Sequence, residues 1–173
     1  KVYDGKNIPD EYRVTVPTEP QKMTVLIVPP MQEPYIKEIS TGLEALQKEV
    51  GGRIEVVYPF AEPVGLICND EGKNERMELN RALYDAEDNM YDIIAGTFVL
   101  AGLSGDNFGS LDKDQIKQFS ERFAKPEMFM RINGKITAVE VKPSIKAKLD
   151  RLQKEQNNTD KPQPQKKPRE ETL

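Results

Sequence analysis

The stretch that decides the fold is YDIIAGTFVLAGL, Tyr91 to Leu103. This long apolar run is rich in β-branched and aromatic residues, which is typical of a strand that is buried on both faces. Gly96 interrupts the run, and a glycine inside a strand indicates a bulge or the close approach of another backbone segment. We therefore predict one central strand here, with the remaining elements arranged around it.

The residues that follow the central strand predict a helix and then a hairpin. GSLDKDQIKQFSERF indicates a helix at about 111–124, with Ser110 as its cap and acidic residues in its first turn. The predicted apolar face of this helix consists of Ile116, Phe119 and Phe123. MFMRINGKITAVEV then predicts two antiparallel strands, because Asn133-Gly134 is a strong signal for a tight hairpin turn.

The residues that precede the central strand predict further strands. MTVLIVPP, Met23 to Pro30, is a compact β-branched run that two prolines terminate. RIEVVYPF and PVGLIC have the composition of two more strands, and Pro59 and Pro63 bracket the bend between them.

The segment from Tyr35 to Val50 can be interpreted in two ways. The three-four spacing of its apolar residues would support one long helix. However, TGLE, Thr41 to Glu44, has the pattern of a capping box, which favours a helix start at that point. We therefore predict a strand at 35–39 and a helix at 42–50, with an apolar face of Leu43, Leu46 and Val50 and with Gly51 as its left-handed end.

These elements predict a single small α+β domain, with a mostly antiparallel sheet, two or three short helices and a disordered C-terminal tail. Residues 1–22 contain three prolines, and we expect a linker or the remnant of an upstream segment there. The domain is predicted at 23–143, and a short helix capped by Ser144 at 144–156. Residues 157–173 have almost no aliphatic content, so they are predicted to be disordered.

The composition excludes several kinds of chemistry within one chain. There is no histidine and only one cysteine, so neither a His/Cys zinc site, a Ser-His-Asp triad nor an internal disulfide can form. NDEG resembles a calcium loop, but its first ligand position would be Ile67, which carries no side-chain oxygen. We expect no metal, no cofactor and, from the absence of an 18-residue apolar run, no membrane span.

The charge balance indicates the class of partner. The 25 basic and 29 acidic residues give a net charge of −4, whereas dedicated nucleic-acid binders usually have a basic balance. Nucleic acid is therefore not an expected partner. A lone cysteine, Cys68, within the apolar sequence VGLIC fits a buried residue in a reducing cytoplasm, and we expect a cytoplasmic protein.

Asn80 and Arg81, in LNR, are the residues whose side-chain chemistry most favours a site. The guanidinium of Arg81 could hold a carboxylate or phosphate with two parallel hydrogen bonds, and Asn80 beside it can donate and accept. The alternative is a structural pair, with Asn80 at a helix start and Arg81 in a salt bridge. Both alternatives remain open from the residues alone.

Several segments together resemble a known family. They are LEALQKEVGGRIEVVYPFAEPVGLICNDEGK, LNRALYD, YDIIAGTFVLAGL and FGSL followed by PEMF. Over about residues 23–141 they look like the bacterial and phage family called domain of unknown function 3846. The resemblance implies a small cytosolic protein carried largely by phages, plasmids and integrative conjugative elements. It implies no catalytic residue, but its recurrent polar positions add weight to four candidate binding residues: Glu55, Asn69, Asn80 and Arg81.

Three functional hypotheses follow. The first is a non-enzymatic accessory protein of a phage or mobile element, which binds an unidentified protein partner and acts as an inhibitor of host defence. The second is a small-ligand or nucleotide-binding protein with an anion site at Asn80 and Arg81. An enzyme that uses Glu55 or Asp92 in acid-base catalysis comes third, because no spacing recommends it.

Overall fold

The computed structural model describes residues 20–142 and shows a small domain of mostly antiparallel strands with two helices. The strands are β1 (Lys22–Val28), β2 (Tyr35–Ser40), β3 (Ile54–Val57), β4 (Val64–Asn69), β5 (Leu79–Tyr84), β6 (Met90–Ala95), β7 (Phe98–Ser104), β8 (Asn107–Gly109), β9 (Glu127–Ile132) and β10 (Lys135–Glu140). The helices are α1 (Leu43–Val50) and α2 (Lys113–Arg122). This architecture confirms the predicted antiparallel α+β class.

The main sheet has β7 at its centre. Its strand order is β2-β1-β7-β4-β3, every pairing is antiparallel, and β8 adds to the far end of β7. The residues from Phe98 to Ala101 are completely buried, because helices or strands cover both faces of the sheet at this point. The prediction of a central strand is therefore confirmed for the second half of the apolar run.

Alternate residues of the central strands enter two separate cores. On one face, α1 packs on the sheet and buries Met23, Val25, Ile27, Ile39, Leu46, Val50, Ile67, Val99 and Ala101. On the other face, α2 and the β5–β6 hairpin bury Leu26, Val28, Val64, Leu66, Cys68, Leu83, Ile94, Phe98, Leu100, Leu111, Phe119 and Phe123. The sheet is thus the middle of three layers, and the strand period of two divides its side chains between the outer layers.

The apolar run at 91–103 forms two strands, not the single strand that we predicted. Gly96 has a φ of +78°, a left-handed conformation that ends the strand at this residue. The N–H of Gly96 donates to the carbonyl of Glu78 (2.7 Å), outside the main sheet. As a result, β6 pairs with β5 in a separate hairpin, while β7 enters the main sheet. β5 was not predicted as a strand.

Both helices begin later than predicted, and with different caps. The N-cap of α1 is Gly42, which has no side chain to bond, while the N–H of Thr41 donates to the carbonyl of Gln21 (2.9 Å) and extends the pairing of β1 with β2. The prediction of a capping box at Thr41 is therefore wrong. Leu43, predicted on the apolar face of α1, is instead exposed.

The cap of α2 is Asp112, which forms a capping box with Gln115. The prediction of Ser110 as this cap is wrong, because the Ser110 hydroxyl accepts from the N–H of Thr24 (2.9 Å) and so joins β1 to the segment before α2. The left-handed residue at Gly51 and the hairpin turn at Asn133-Gly134 are confirmed.

The linker predicted over residues 1–22 lies mostly outside the described residues, which begin two residues before β1. The short helix predicted at 144–156 and the tail at 157–173 lie entirely outside them. Within residues 20–142, neither helix is long and apolar enough to cross a membrane.

We expect Gly102→Ala to destabilise the fold by about 2 kcal/mol, which urea unfolding would measure. Gly102 lies in β7, and a Cβ at this position would be 2.5 Å from the Ser110 carbonyl oxygen, an atom that only a backbone shift could move. Gly109→Ala is the matched control in β8, where the nearest atom would be 3.8 Å away. Equal effects of the two substitutions would contradict this account of the close approach.

Candidate functional site

An open cleft of about 240 Å³ lies between the edge of the main sheet and the β5–β6 hairpin. Its lining residues come from β3, β4, the loop after β4, and β6: Glu55, Val57, Cys68, Asn69, Asp70, Lys73, Asn74, Asp92, Ile94 and Ala95. We call this the cleft. Its polar groups are carboxylates, amides and one ammonium group, and its floor is apolar.

The charges of the cleft are predominantly negative. Lys73 pairs with Asp92 across the opening, and Asp70 pairs with Arg53 at 2.9 Å. The exposed carboxylate of Glu55 makes no ion pair with any residue of the described chain. Asp70 and Asp92 are therefore each balanced by a cation, and the carboxylate of Glu55 supplies the excess negative charge, so the cleft favours a cationic group over an anionic one.

Asn69 fixes the wall of the cleft. Its side-chain oxygen accepts from the N–H of Glu71 (2.8 Å), and its amide nitrogen donates to the carbonyl of Val50 at the end of α1 (3.4 Å). A Cβ on Gly52 would be 2.8 Å from this nitrogen, so the close packing of Asn69 depends on a glycine there. Asn69 thereby joins the end of α1 to the turn after β4, which positions Asp70.

An apolar depression of about 340 Å³ adjoins the cleft, and Lys73 and Asp92 line both. Its other lining residues are Leu79, Met90, Tyr91, Ile93 and Ile136, and we call it the shelf. Leu79, Tyr91 and Ile136 are exposed there. The cleft and the shelf together form one concave surface, polar at one end and apolar at the other.

Asn80 and Arg81 lie in the interior, away from this surface. Asn80 is fully buried, and its amide nitrogen donates to the carbonyls of Val28 and Gly96, both at 2.8 Å. Arg81 is 1% exposed. One terminal nitrogen of Arg81 donates to the Asn80 side-chain oxygen (2.8 Å), and the other donates to the carbonyls of Gln32 (2.9 Å) and Phe123 (2.8 Å).

The buried guanidinium has two further features. Its Nε makes no hydrogen bond, and burial lowers the pKa of Arg81, an effect that the nearby negative charge of Glu127 partly offsets. Burial also raises the pKa of Glu127, whose carboxylate accepts from the N–H of Ala82 at 2.8 Å. This carboxylate connects β9 to β5, and its negative charge lies near enough to the buried guanidinium of Arg81 to influence the pKa of that group.

The structure thus brings two of the four predicted residues together. Glu55 and Asn69 line the cleft, whereas Asn80 and Arg81 bond main-chain groups inside the fold. An anion at Arg81 would have to displace the carbonyls of Gln32 and Phe123.

The sequence suggests Asp92 only as a catalytic residue, and it does not indicate Lys73 or Asn74 as lining residues of the cleft. Strand alternation in β6, which places Asp92 and Ile94 on one face, was the available signal for Asp92.

Cys68 lies at the floor of the cleft and is 5% exposed. Burial raises the pKa of its thiol to about 11, and the negative charges of Glu55 and Asp92 act in the same direction. At neutral pH the sulfur is therefore protonated and weakly nucleophilic. Within residues 20–142, no three Cys, Asp or Glu side chains are grouped to hold a metal ion.

Asn80→Asp should destabilise the fold by about 3 kcal/mol or more, because an oxygen and a negative charge would replace the donor to two buried carbonyls. Asn74→Asp is the control: it makes the same chemical change on an exposed residue of the cleft. Urea unfolding of both variants measures the difference. A fully stable Asn80→Asp protein would contradict the structural role of this amide.

The native thiol of Cys68 should react with a disulfide reagent at pH 8 roughly 100-fold more slowly than the thiol of the urea-unfolded chain, since a pKa near 11 leaves little thiolate. Absorbance of the released thiolate would follow the reaction. If the folded protein reacted as fast as the unfolded chain, the thiol would be neither buried nor raised in pKa.

Comparison with known proteins adds a family but no activity. A family model described as Domain of unknown function (DUF3846) matches residues 23–124, which is more than half of the chain. The same comparisons find no match among curated proteins or among solved structures. The matched range contains the main sheet except for its first residue, Lys22, together with both helices, the β5–β6 hairpin and all residues of the cleft. It ends before the β9–β10 hairpin. The chain therefore belongs to the family Domain of unknown function (DUF3846).

Proposed function

We propose that this protein is a non-enzymatic accessory protein that acts by binding another protein through the cleft and the shelf. The observation that carries the proposal is the direct continuity of a negatively charged cleft with an exposed apolar shelf. Protein interfaces commonly combine these features, with aromatic and aliphatic groups at the centre and charged groups around them.

The lining chemistry defines the kind of partner. Asp70 and Asp92 pair with Arg53 and Lys73, so the exposed carboxylate of Glu55 is the group that suits a lysine or arginine of the partner. On the shelf, Tyr91 and Leu79 offer a surface for an apolar side chain. The expected partner segment therefore carries a basic residue and an apolar residue within about 10 Å of each other, which is roughly three positions along an extended chain.

A binding role fits these groups better than catalysis does. Glu55 is exposed, and Asp92 is engaged by Lys73, whereas general acid-base residues usually gain their reactivity from burial or from a tuned neighbour. Cys68 is buried with a raised pKa, so it does not supply a nucleophile. None of these groups needs to change its protonation in order to hold a partner.

The family resemblance supplies the biological context of the proposal. Carriage by phages and mobile elements suggests a cytoplasmic protein that acts on a host or element-encoded partner, and a component of antiviral defence is the class to test first. The protein would then inhibit its partner by covering the surface with which the partner normally binds its own ligand.

The alternative, an anion or nucleotide at Asn80 and Arg81, stays a prediction. A rise in melting temperature with a nucleotide, lost in Arg81→Ala, would support it. No contact in residues 20–142 favours it over the cleft, because the terminal nitrogens of Arg81 already donate to oxygens of the chain.

The combined change Glu55→Lys and Tyr91→Ser should weaken partner binding at least about tenfold, because it reverses one charge of the cleft and removes the largest side chain of the shelf. The full chain, immobilised, would capture proteins from a host lysate, and the purified captured protein would be titrated against each variant. Binding should also weaken with added salt, since screening reduces attraction between exposed charges.

The matched control makes the same two changes at β2, Glu38→Lys and Tyr35→Ser, where both residues are exposed on the opposite edge of the main sheet. A captured protein that both double variants retain, or that both lose, would overturn the assignment to the cleft and the shelf. If the partner is a defence component, expression of the wild-type chain should raise phage plating efficiency, and the cleft variant should not.

A further inference from the structure

A basic side chain of the β9–β10 hairpin lies beside the shelf. Arg131 is directly opposite Ile136 in the register of the hairpin, so the two side chains share one side of it. Ile136 lines the shelf but not the cleft. Arg131 is exposed and makes no ion pair within residues 20–142. The shelf is therefore bordered by a guanidinium on its hairpin side.

The cleft, on the other side of the shelf, carries the opposite charge. Glu55 is the carboxylate of its lining that makes no ion pair among the described residues, whereas the other two are each paired with a cation. A negative charge and a positive charge thus lie on two sides of one apolar surface. Neither charge balances the other within the same chain, because no ion pair joins Glu55 to Arg131 in the described structure.

A surface with this order of charges is complementary to itself. A twofold axis through the shelf places the shelf of one copy on the shelf of another, and it makes every contact occur twice. The same rotation places the positive side of each copy over the negative side of the other. An apolar centre flanked by charged groups is a common arrangement in protein interfaces. Tyr91, Ile136 and Leu79, which are 56%, 45% and 39% exposed, supply the apolar centre here.

We propose that a second copy of this chain binds the cleft and the shelf, with Arg131 of each copy paired to Glu55 of the other. The inference rests on the proposed function in one respect, since it assigns a second protein occupant to the same surface. The dimer closes the cleft and the shelf, so self-association and the capture of a different protein exclude each other. The monomer is then the form of the chain that binds a partner.

The extent of the surface makes this dimer weak. A stable interface usually contains roughly 20 to 30 residues on each side, and the cleft, the shelf and Arg131 together contain fewer. Exposed ion pairs contribute modestly to affinity and act mainly on the orientation of the partners. We expect a dissociation constant on the order of 100 μM, so that the protein concentration decides between monomer and dimer.

Charge reversal tests the pairing in the full-length chain. Arg131→Glu and Glu55→Arg each place like charges at both contacts of the twofold dimer, so each variant alone should dimerise at least about tenfold more weakly than the wild type. In an equimolar mixture of the two variants, both contacts again join opposite charges, and the dimer should form again. Sedimentation equilibrium from about 10 μM to about 1 mM would measure the association, with circular dichroism as the check on folding.

Lys135→Glu and Glu38→Arg are the matched controls, and neither should weaken the dimer. Lys135 is opposite Ile132, on the side of the hairpin away from Arg131, and Glu38 is exposed on β2. The proposal would be overturned by controls that weaken the dimer as much as the test variants do, or by a mixture that associates no better than its two components. A wild-type chain that stays monomeric at about 1 mM but still captures a partner through the cleft would overturn this inference alone and leave the proposed function intact.

Discussion

Two side chains, Asn80 and Arg81, bind the carbonyl groups of four separate segments in the interior of the protein. Val28 is the end of β1, Gly96 is the junction of β6 and β7, and Gln32 and Phe123 belong to the loop before β2 and the end of α2. Each of these segments ends or turns where its carbonyl would otherwise lack a partner. The polar pair therefore allows the strands and α2 to terminate inside the fold.

A buried guanidinium is an expensive way to satisfy carbonyls, because its desolvation costs several kcal/mol unless every contact is well formed. The guanidinium is planar and its donors have fixed directions, so it fixes the distance between the carbonyl groups of Gln32 and Phe123. β5 is thereby fixed beneath α2, and β6, paired with β5, presents Asp92 and Ile94 to the cleft. The network is thus remote from the cleft and still determines the placement of one of its walls.

Much of the fold could be predicted, since the apolar runs, the Asn133-Gly134 turn and the Gly51 helix end are local signals. The features that could not be predicted depend on contacts between residues that are far apart in the sequence. Ser110 resembles a helix cap, but its hydroxyl bonds the N–H of Thr24, far away in the sequence.

Asn80 and Arg81 stand out in the sequence by their side-chain chemistry, but their burial could not be predicted from it. Polar side chains on a strand are consistent with a surface site and with a buried network alike, and only the three-dimensional position of their partners distinguishes the two. Glu55 and Asn69 line one cleft, but only the family resemblance links them in the sequence, because no local signal connects β3 with the end of β4.

The two outer strands of the main sheet, β2 and β3, have consequences for the behaviour of the protein in concentrated solution. Unpaired strand edges can recruit other chains and lead to aggregation. β3 has only four residues, and β2 carries Lys37 and Glu38 in its middle, with Lys37 held by Glu49 of α1 at 2.6 Å. A second sheet that approached either edge would meet charge or would find too few groups to pair. The arrangement disfavours the association of two copies through the edges of their main sheets.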